Sequence, residues 1–177
     1  MNHKFKIALS FATEEQKLVE KVYHYLKAEN ISVFFAPSSE CQALLSGENQ
    51  REVFYSIFGM KSEYVALFVS KNYILKDVPM EEANIAFTKH SSDGKVIPIY
   101  LDGTPLPPDM FDPRSTNYFK SDNPAAIASH LSAKIKNAEF MDKKNSSAVT
   151  SENTMNVRGN TAEKQIFIQQ LNGNIDL

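Results

Sequence analysis

The stretch Tyr64–Thr88, YVALFVSKNYILKDVPMEEANIAFT, decides how the rest of the chain is read. Tyr64 to Val69 is an unbroken apolar run rich in β-branched and aromatic residues, the composition of a strand covered on both faces. Ser70 ends the run and a polar loop follows. Asp77 and Pro79 then mark a helix start, with a capping aspartate beside a proline tolerated in the first turn. Glu81 and Glu82 come next, and one of them should sit where a crevice opens beyond the strand end. That carboxylate is either chemistry or a first-turn charge that the helix dipole stabilises by about 0.3–1 kcal/mol. The two side chains point about 100° apart on a helix, and Glu81 takes the role of solvated charge.

Working outward, the segments on either side repeat the same alternation. Phe5 to Phe11 (FKIALSF) reads as a strand, and Thr13 three residues before Gln16 resembles a capping box opening a helix. Leu18, Val19, Val22, Tyr23 and Leu26 recur at helical spacing until Asn30 closes the segment. Ile31 to Phe35 (ISVFF) is a second strand whose two phenylalanines pack on opposite faces. Ala36 to Gln50 is a long loop of the kind that carries binding, and Arg51 to Met60 is a short helix leading into the central strand. Beyond Thr88, KVIPIYL (Lys95–Leu101) is a buried strand whose Pro98 demands an edge position or a bulge. Asn117 to Phe119 is a short fifth strand, and Asn123 to Asn137 a helix with Ile127, Leu131 and Ile135 on one face.

Strand and helix in alternation imply a parallel sheet with right-handed crossovers. The fold class is therefore α/β, a flavodoxin-like doubly wound, mostly parallel sheet of four or five strands with helices on both faces and the order 2-1-3-4-5. In that order the winding reverses between the first and third strands, and ligands bind outside their carboxyl ends, here Ser10-Phe11 and Ser70. The domain spans residues 1–137. Residues 138–162 (from MDKKNSSAVTSENTMN) read as a polar linker, and 163–177 as a hairpin-like tail around Asn172-Gly173 that could begin a further module.

The 177 residues suffice for one core plus an appendage. A formal net charge of -2, a pI near 6.1 and the absence of a basic run argue against nucleic acid as partner. The single Cys41 excludes an internal disulfide, and the four histidines show no metal-ligand spacing, so no metal is expected. No run reaches the length of a membrane span, and the expected compartment is the cytoplasm.

Taken together, IALSF, ISVFF with its loop, VALFVSKNYI and VIPIYLD resemble the Toll/interleukin-1 receptor (TIR) domain, in particular its bacterial versions, over roughly Lys4 to Asn137. KDVPMEEANIA is similar to the family stretch in which a tryptophan stands four residues before a glutamate and an alanine four after it. On this chain the glutamate is Glu82, the alanine Ala86 and the tryptophan position Val78. The resemblance implies cleavage of the nicotinamide–ribose bond of NAD+, to ADP-ribose or a cyclic product, with NAD+ as substrate and no cofactor. It also implies activation by self-assembly through TIR–TIR contacts in antiphage or immune-like signalling. The alternative it carries is a non-enzymatic scaffold for homotypic interaction.

One carboxylate can suffice for that chemistry. Glycoside hydrolysis ordinarily needs two carboxyl groups because an alkoxide must be protonated as it leaves. Nicotinamide leaves NAD+ as a neutral molecule, so no general acid is required. A single ionised carboxylate can stabilise the oxocarbenium-like centre and orient the ribose. The resemblance assigns this role to Glu82 and makes Ser10, Phe11, Phe35, Ser70 and Val78 the candidate substrate-binding residues. The chain has no tryptophan, so Phe11 or Phe35 is expected to supply the flat apolar surface for the nicotinamide ring.

Overall fold

The computed structural model describes residues 3–90, 93–112 and 117–152. The chain divides into two units, Met1–Lys136 and Asn137–Leu177. The first holds a five-stranded, all-parallel sheet in the order β2-β1-β3-β4-β5, the expected 2-1-3-4-5 winding. The strands are β1 (Phe5–Phe11), β2 (Val33–Phe34), β3 (Ser62–Val69), β4 (Val96–Tyr100) and β5 (Phe119–Lys120). The helices are α1 (Gln16–Ala28), α2 (Ser39–Leu45), α3 (Gln50–Ser56), α4 (Lys71–Ile74), α5 (Asp77–His90) and α6 (Pro124–Glu152).

The central pair β1 and β3 carries the core. Every residue from Val65 to Val69 is fully buried, which is why that run could be read as two-sided from its sequence. Successive side chains in a strand point to opposite faces. With Ala8 opposite Val65 and Ser10 opposite Leu67, the side chains of Ala8, Ser10, Val65 and Leu67 share one face. Ile7, Leu9, Phe11, Tyr64 and Phe68 share the other. The first face packs against α5 through Ala83 and Ala86. The buried stripe of α1 is Val19, Val22 and Leu26, and that of α6 is Ile127, Leu131 and Ile135.

Several local devices set the elements in place. Asn30 adopts φ 61° and closes α1, with its N–H bonded to the Lys27 carbonyl and that of Ile31 to Leu26. Thr13 does not form the expected capping box; Thr13–Glu15 is a 3₁₀ turn with no side-chain cap, and α1 follows it directly. Pro98 lies inside β4 without costing a ladder bond. Leu101 N–H bonds toward β3 and the Tyr100 carbonyl toward β5, so the Pro98 backbone faces the β5 side, where pairing covers only Ile99 and Tyr100. β4 is therefore not the edge strand the sequence reading expected, since it pairs with both β3 and β5; Pro98 is tolerated because β5 is too short to reach it.

Three elements depart from the sequence reading, one of them α4, which forms where a polar loop was expected. The long loop after β2 contains α2, started by the Ser38 hydroxyl accepting the Cys41 N–H. The region 138–162, expected to be a polar linker, is helical at its start: α6 does not stop at Asn137 but runs to Glu152. Met, Lys, Asp and Ala in MDKKNSSAV are compatible with a solvated helix, and polarity alone does not end one. The expected tail hairpin at Asn172-Gly173 lies outside the described residues.

Between α3 and β3, Ile57–Lys61 forms a π-helical turn. Gly59 in this turn approaches α5 so closely that a Cβ would stand 3.3 Å from side-chain atoms of Ile85 and Lys89. The His90 ring Nε2 lies 3.2 Å from the Phe58 carbonyl oxygen, tying the C-terminal end of α5 to the same turn.

Candidate functional site

The winding reverses between β1 and β3, and three side chains meet beyond their carboxyl ends. Ser10, the last but one residue of β1, is fully buried and turned toward α5. Its Oγ lies 2.6 Å from Glu82 Oε2 and 2.7 Å from Tyr73 Oη. The Tyr73 hydroxyl in turn donates to the Pro79 carbonyl at 2.9 Å. Glu82 is only 8% exposed and Tyr73 not at all. Burial pushes the Glu82 carboxyl up to about 8, opposed by the Ser10 hydrogen bond and reinforced by the neighbouring Glu81. Burial likewise raises the Tyr73 phenol well above its ordinary value, so it remains a neutral donor.

A cleft of about 520 Å³ opens at this edge, lined by Phe11, Thr13 and the segment Leu75 to Pro79. Its size lies within the range of small-molecule sites. Val78, four residues before Glu82, is 41% exposed in this lining. Glu82 is not part of the lining; it reaches the wall through Ser10, Tyr73 and the Pro79 carbonyl. Among the described residues no group of His, Cys, Asp or Glu is arranged to hold a metal ion.

The expected site residues thus separate into four groups. Ser10 and Glu82 are brought together, and Phe11 and Val78 line the cleft beside them. Phe35 goes elsewhere: it is 2% exposed and stacked between Phe11 and Tyr23, with ring centroids 5.5 and 4.9 Å away. It supports Phe11 from behind and offers no free face. Ser70 caps α4 by accepting the Tyr73 N–H and donates to Glu15 Oε1 at 2.7 Å. It therefore fixes the backbone that carries Tyr73. Glu81 pairs on the surface with Arg51 at 2.7 Å. Tyr73 was not legible as a site residue, because KNYILK reads as a polar loop and the Ser70-capped turn of α4 is too short for periodicity to register.

The TIR domain family model matches residues 7–143. The chain belongs to the TIR-domain family. Over 72 residues it is 38% identical to the 3' cyclic ADP-D-ribose synthase AaTIR of Aquimarina amphilecti, a match spanning 41% of this chain and 21% of that protein. The TIR domain of the Toll-related receptor TRR-2 of Hydra magnipapillata superposes with a TM-score of 0.58 at 12% identity, covering 75% of this chain and 98% of that domain. A TIR-STING receptor from C. gigas, solved in complex with 2',3'-cGAMP, superposes with a TM-score of 0.51 at 15% identity over 67% of this chain and 35% of its own. Both structural likenesses concern the fold. No helix among the described residues is long and apolar enough to cross a membrane.

Proposed function

We propose that this TIR domain cleaves the nicotinamide–ribose bond of NAD+, releasing nicotinamide and forming ADP-ribose or a cyclic ADP-ribose. The observation that carries the reading is Glu82, one carboxylate buried at the winding reversal, hydrogen-bonded to Ser10 and adjoining the Phe11–Val78 cleft. The name of the Aquimarina relative, a cyclic ADP-ribose synthase, supports the same chemistry.

In this reading the ribose carbon bonded to nicotinamide develops positive charge while nicotinamide leaves as a neutral ring. Ionised Glu82 stabilises that charge. Burial holds Glu82 at a pKa raised to about 8, hence largely protonated at neutral pH. The cationic pyridinium ring of NAD+ brings a positive charge beside it, which favours the carboxylate. Phe11, backed by Phe35, presents the aromatic surface for the ring. The reaction proceeds in assembled copies, in immune-like signalling.

The test is to incubate concentrated protein with NAD+ and follow nicotinamide release for the wild type, Glu82→Gln and Glu82→Ala. The wild type is expected to turn over and both variants to fall to background. Full turnover in either variant would sink the assignment. The absence of Glu82 from the lining of the cleft favours a second reading, a non-enzymatic module for self-association. Concentration-dependent oligomers with no nicotinamide release at any concentration would select it.

A further inference from the structure

The chain from Glu82 to Pro79 contains three oxygen–oxygen links and an unequal number of protons to fill them. The Pro79 carbonyl can only accept, so its bond uses the Tyr73 proton. The link between Tyr73 Oη and Ser10 Oγ then needs the Ser10 proton. The third link, between Ser10 Oγ and Glu82 Oε2, has a proton left for it only if Glu82 supplies its own. All three bonds exist together when the carboxyl is neutral and donates: Glu82 to Ser10, Ser10 to Tyr73, Tyr73 to the Pro79 carbonyl.

Ionised Glu82 reverses the direction. Its proton leaves to solvent, the Ser10 proton turns to the carboxylate, and the Tyr73 proton turns from Pro79 to Ser10. No other O–H bond is broken. The Pro79 carbonyl loses its tyrosine partner, and Pro79 belongs to the cleft wall. We infer that Ser10 and Tyr73 form a reversible hydrogen-bond relay that transmits the charge of Glu82 to the first turn of α5, holding the cleft wall while the carboxyl is neutral and releasing it when the carboxylate forms. Tyr73 is in this sense a positioning residue for the reaction, and that consequence rests on the proposed NAD+ chemistry.

The surroundings leave the relay as the main partner of the carboxyl. Glu81, its neighbour on α5, is engaged by Arg51 of α3 on the surface. Lys76, between α4 and α5, pairs with Glu14 at 2.7 Å. From β1 and α4 the groups facing Glu82 are the Ser10 and Tyr73 hydroxyls.

A carbon-13 NMR titration of the full chain without NAD+ tests the relay independently of turnover. In the wild type the Glu82 side-chain carboxyl, the Tyr73 ring carbon bearing the hydroxyl and the Pro79 carbonyl are expected to titrate with one midpoint. In Ser10→Ala the Glu82 signal still titrates while Tyr73 and Pro79 no longer follow. In Glu82→Gln, where the amide donates as the neutral carboxyl does, Tyr73 and Pro79 are expected to stay constant over the whole range. In Tyr73→Phe the Glu82 midpoint falls by about one pH unit, the worth of one hydrogen bond favouring the neutral form. A Pro79 signal that is flat in the wild type, or that still follows Glu82 in Ser10→Ala, overturns the relay. Loss of NAD+ turnover in no way alters these signals, so the relay and the enzymatic reading fail separately.

Discussion

Two serines end the two central strands, and their surroundings make them opposites. Ser10 at the end of β1 joins a dry cluster in which carboxyl, hydroxyl and phenol share protons out of reach of water. Ser70, just past β3, joins a half-wet cluster. It donates to Glu15 Oε1, which also accepts from Asn72 Nδ2 at 3.1 Å, and it caps α4. Both clusters place a glutamate beside a serine. At Glu82 burial raises the carboxyl to about 8, because it disfavours the charged form more than one hydroxyl can repay. The serine partner is common to both, and what sets the two glutamates apart is burial: Glu82 is buried and Glu15 only partly so.

The comparison is broken most directly by Glu82→Gln. Nicotinamide release is expected to fall by about 10² to 10³ or more, the range seen when one electrostatic stabiliser is removed. The same substitution sharpens it through stability. A carboxyl whose folded pKa is raised from 4.5 to about 8 favours the fold when neutral, and that contribution is lost as pH rises through this window. The loss is on the order of 4 kcal/mol as an upper figure. Urea unfolding should therefore show wild-type stability falling between pH 4.5 and 8, with Glu82→Gln more stable than wild type at pH 8 and equal to it near pH 4.5. An equal pH dependence in both proteins would contradict the dry cluster.

Ser70→Ala is expected to cost about 1–2 kcal/mol through the lost cap and the lost donor to Glu15, read by denaturant midpoint. Because Ser70 touches the Tyr73 backbone and not its hydroxyl, the Glu82 midpoint should move less than in Tyr73→Phe; an equal fall would mean the two clusters are one. The smallest effect is expected from Val78→Trp, which adds an aromatic face to the cleft lining. A stacking gain of about 1 kcal/mol would lower KM for NAD+ roughly fivefold with kcat little changed.

How much of this was legible follows from where the physics is local. β1 has the bounds its sequence implies, and the strand order follows from alternation and handedness. Pro98 announced a gap in the pairing, because a missing N–H constrains a sheet wherever it occurs, but the gap is the short reach of β5 and not an edge strand. Asn30 announced a helix end because its side chain tolerates positive φ. The meeting of Ser10 with Glu82 could be expected from the winding reversal, since strand ends and the following helix converge there. Tyr73 and the role of Phe35 were not legible. Nothing in KNYIL distinguishes a tyrosine buried against Ser10, 63 residues away, from one in a surface loop. Phe35 reads as an aromatic wall in the sequence, whereas in the fold Tyr23 covers its other face. The continuation of α6 is not legible because polar composition fits both a helix and a linker.

Helix α5 is held very differently at its two ends, and this gives it a mechanical character. At the far end, Gly59 admits the π-helical turn into van der Waals contact with Ile85 and Lys89, and His90 is tied to Phe58. At the near end the fastenings are hydrogen bonds, Tyr73 to Pro79 and Ser10 with Glu82, and the exposed Arg51–Glu81 pair, which water and salt weaken. A rod clamped at one end and lightly latched at the other bends at the latch. The compliance of α5 is thus concentrated in its first turn, beside the cleft. Filling the Gly59 notch would slacken the clamp and change how stiffly that turn springs back, without touching any atom of the cleft.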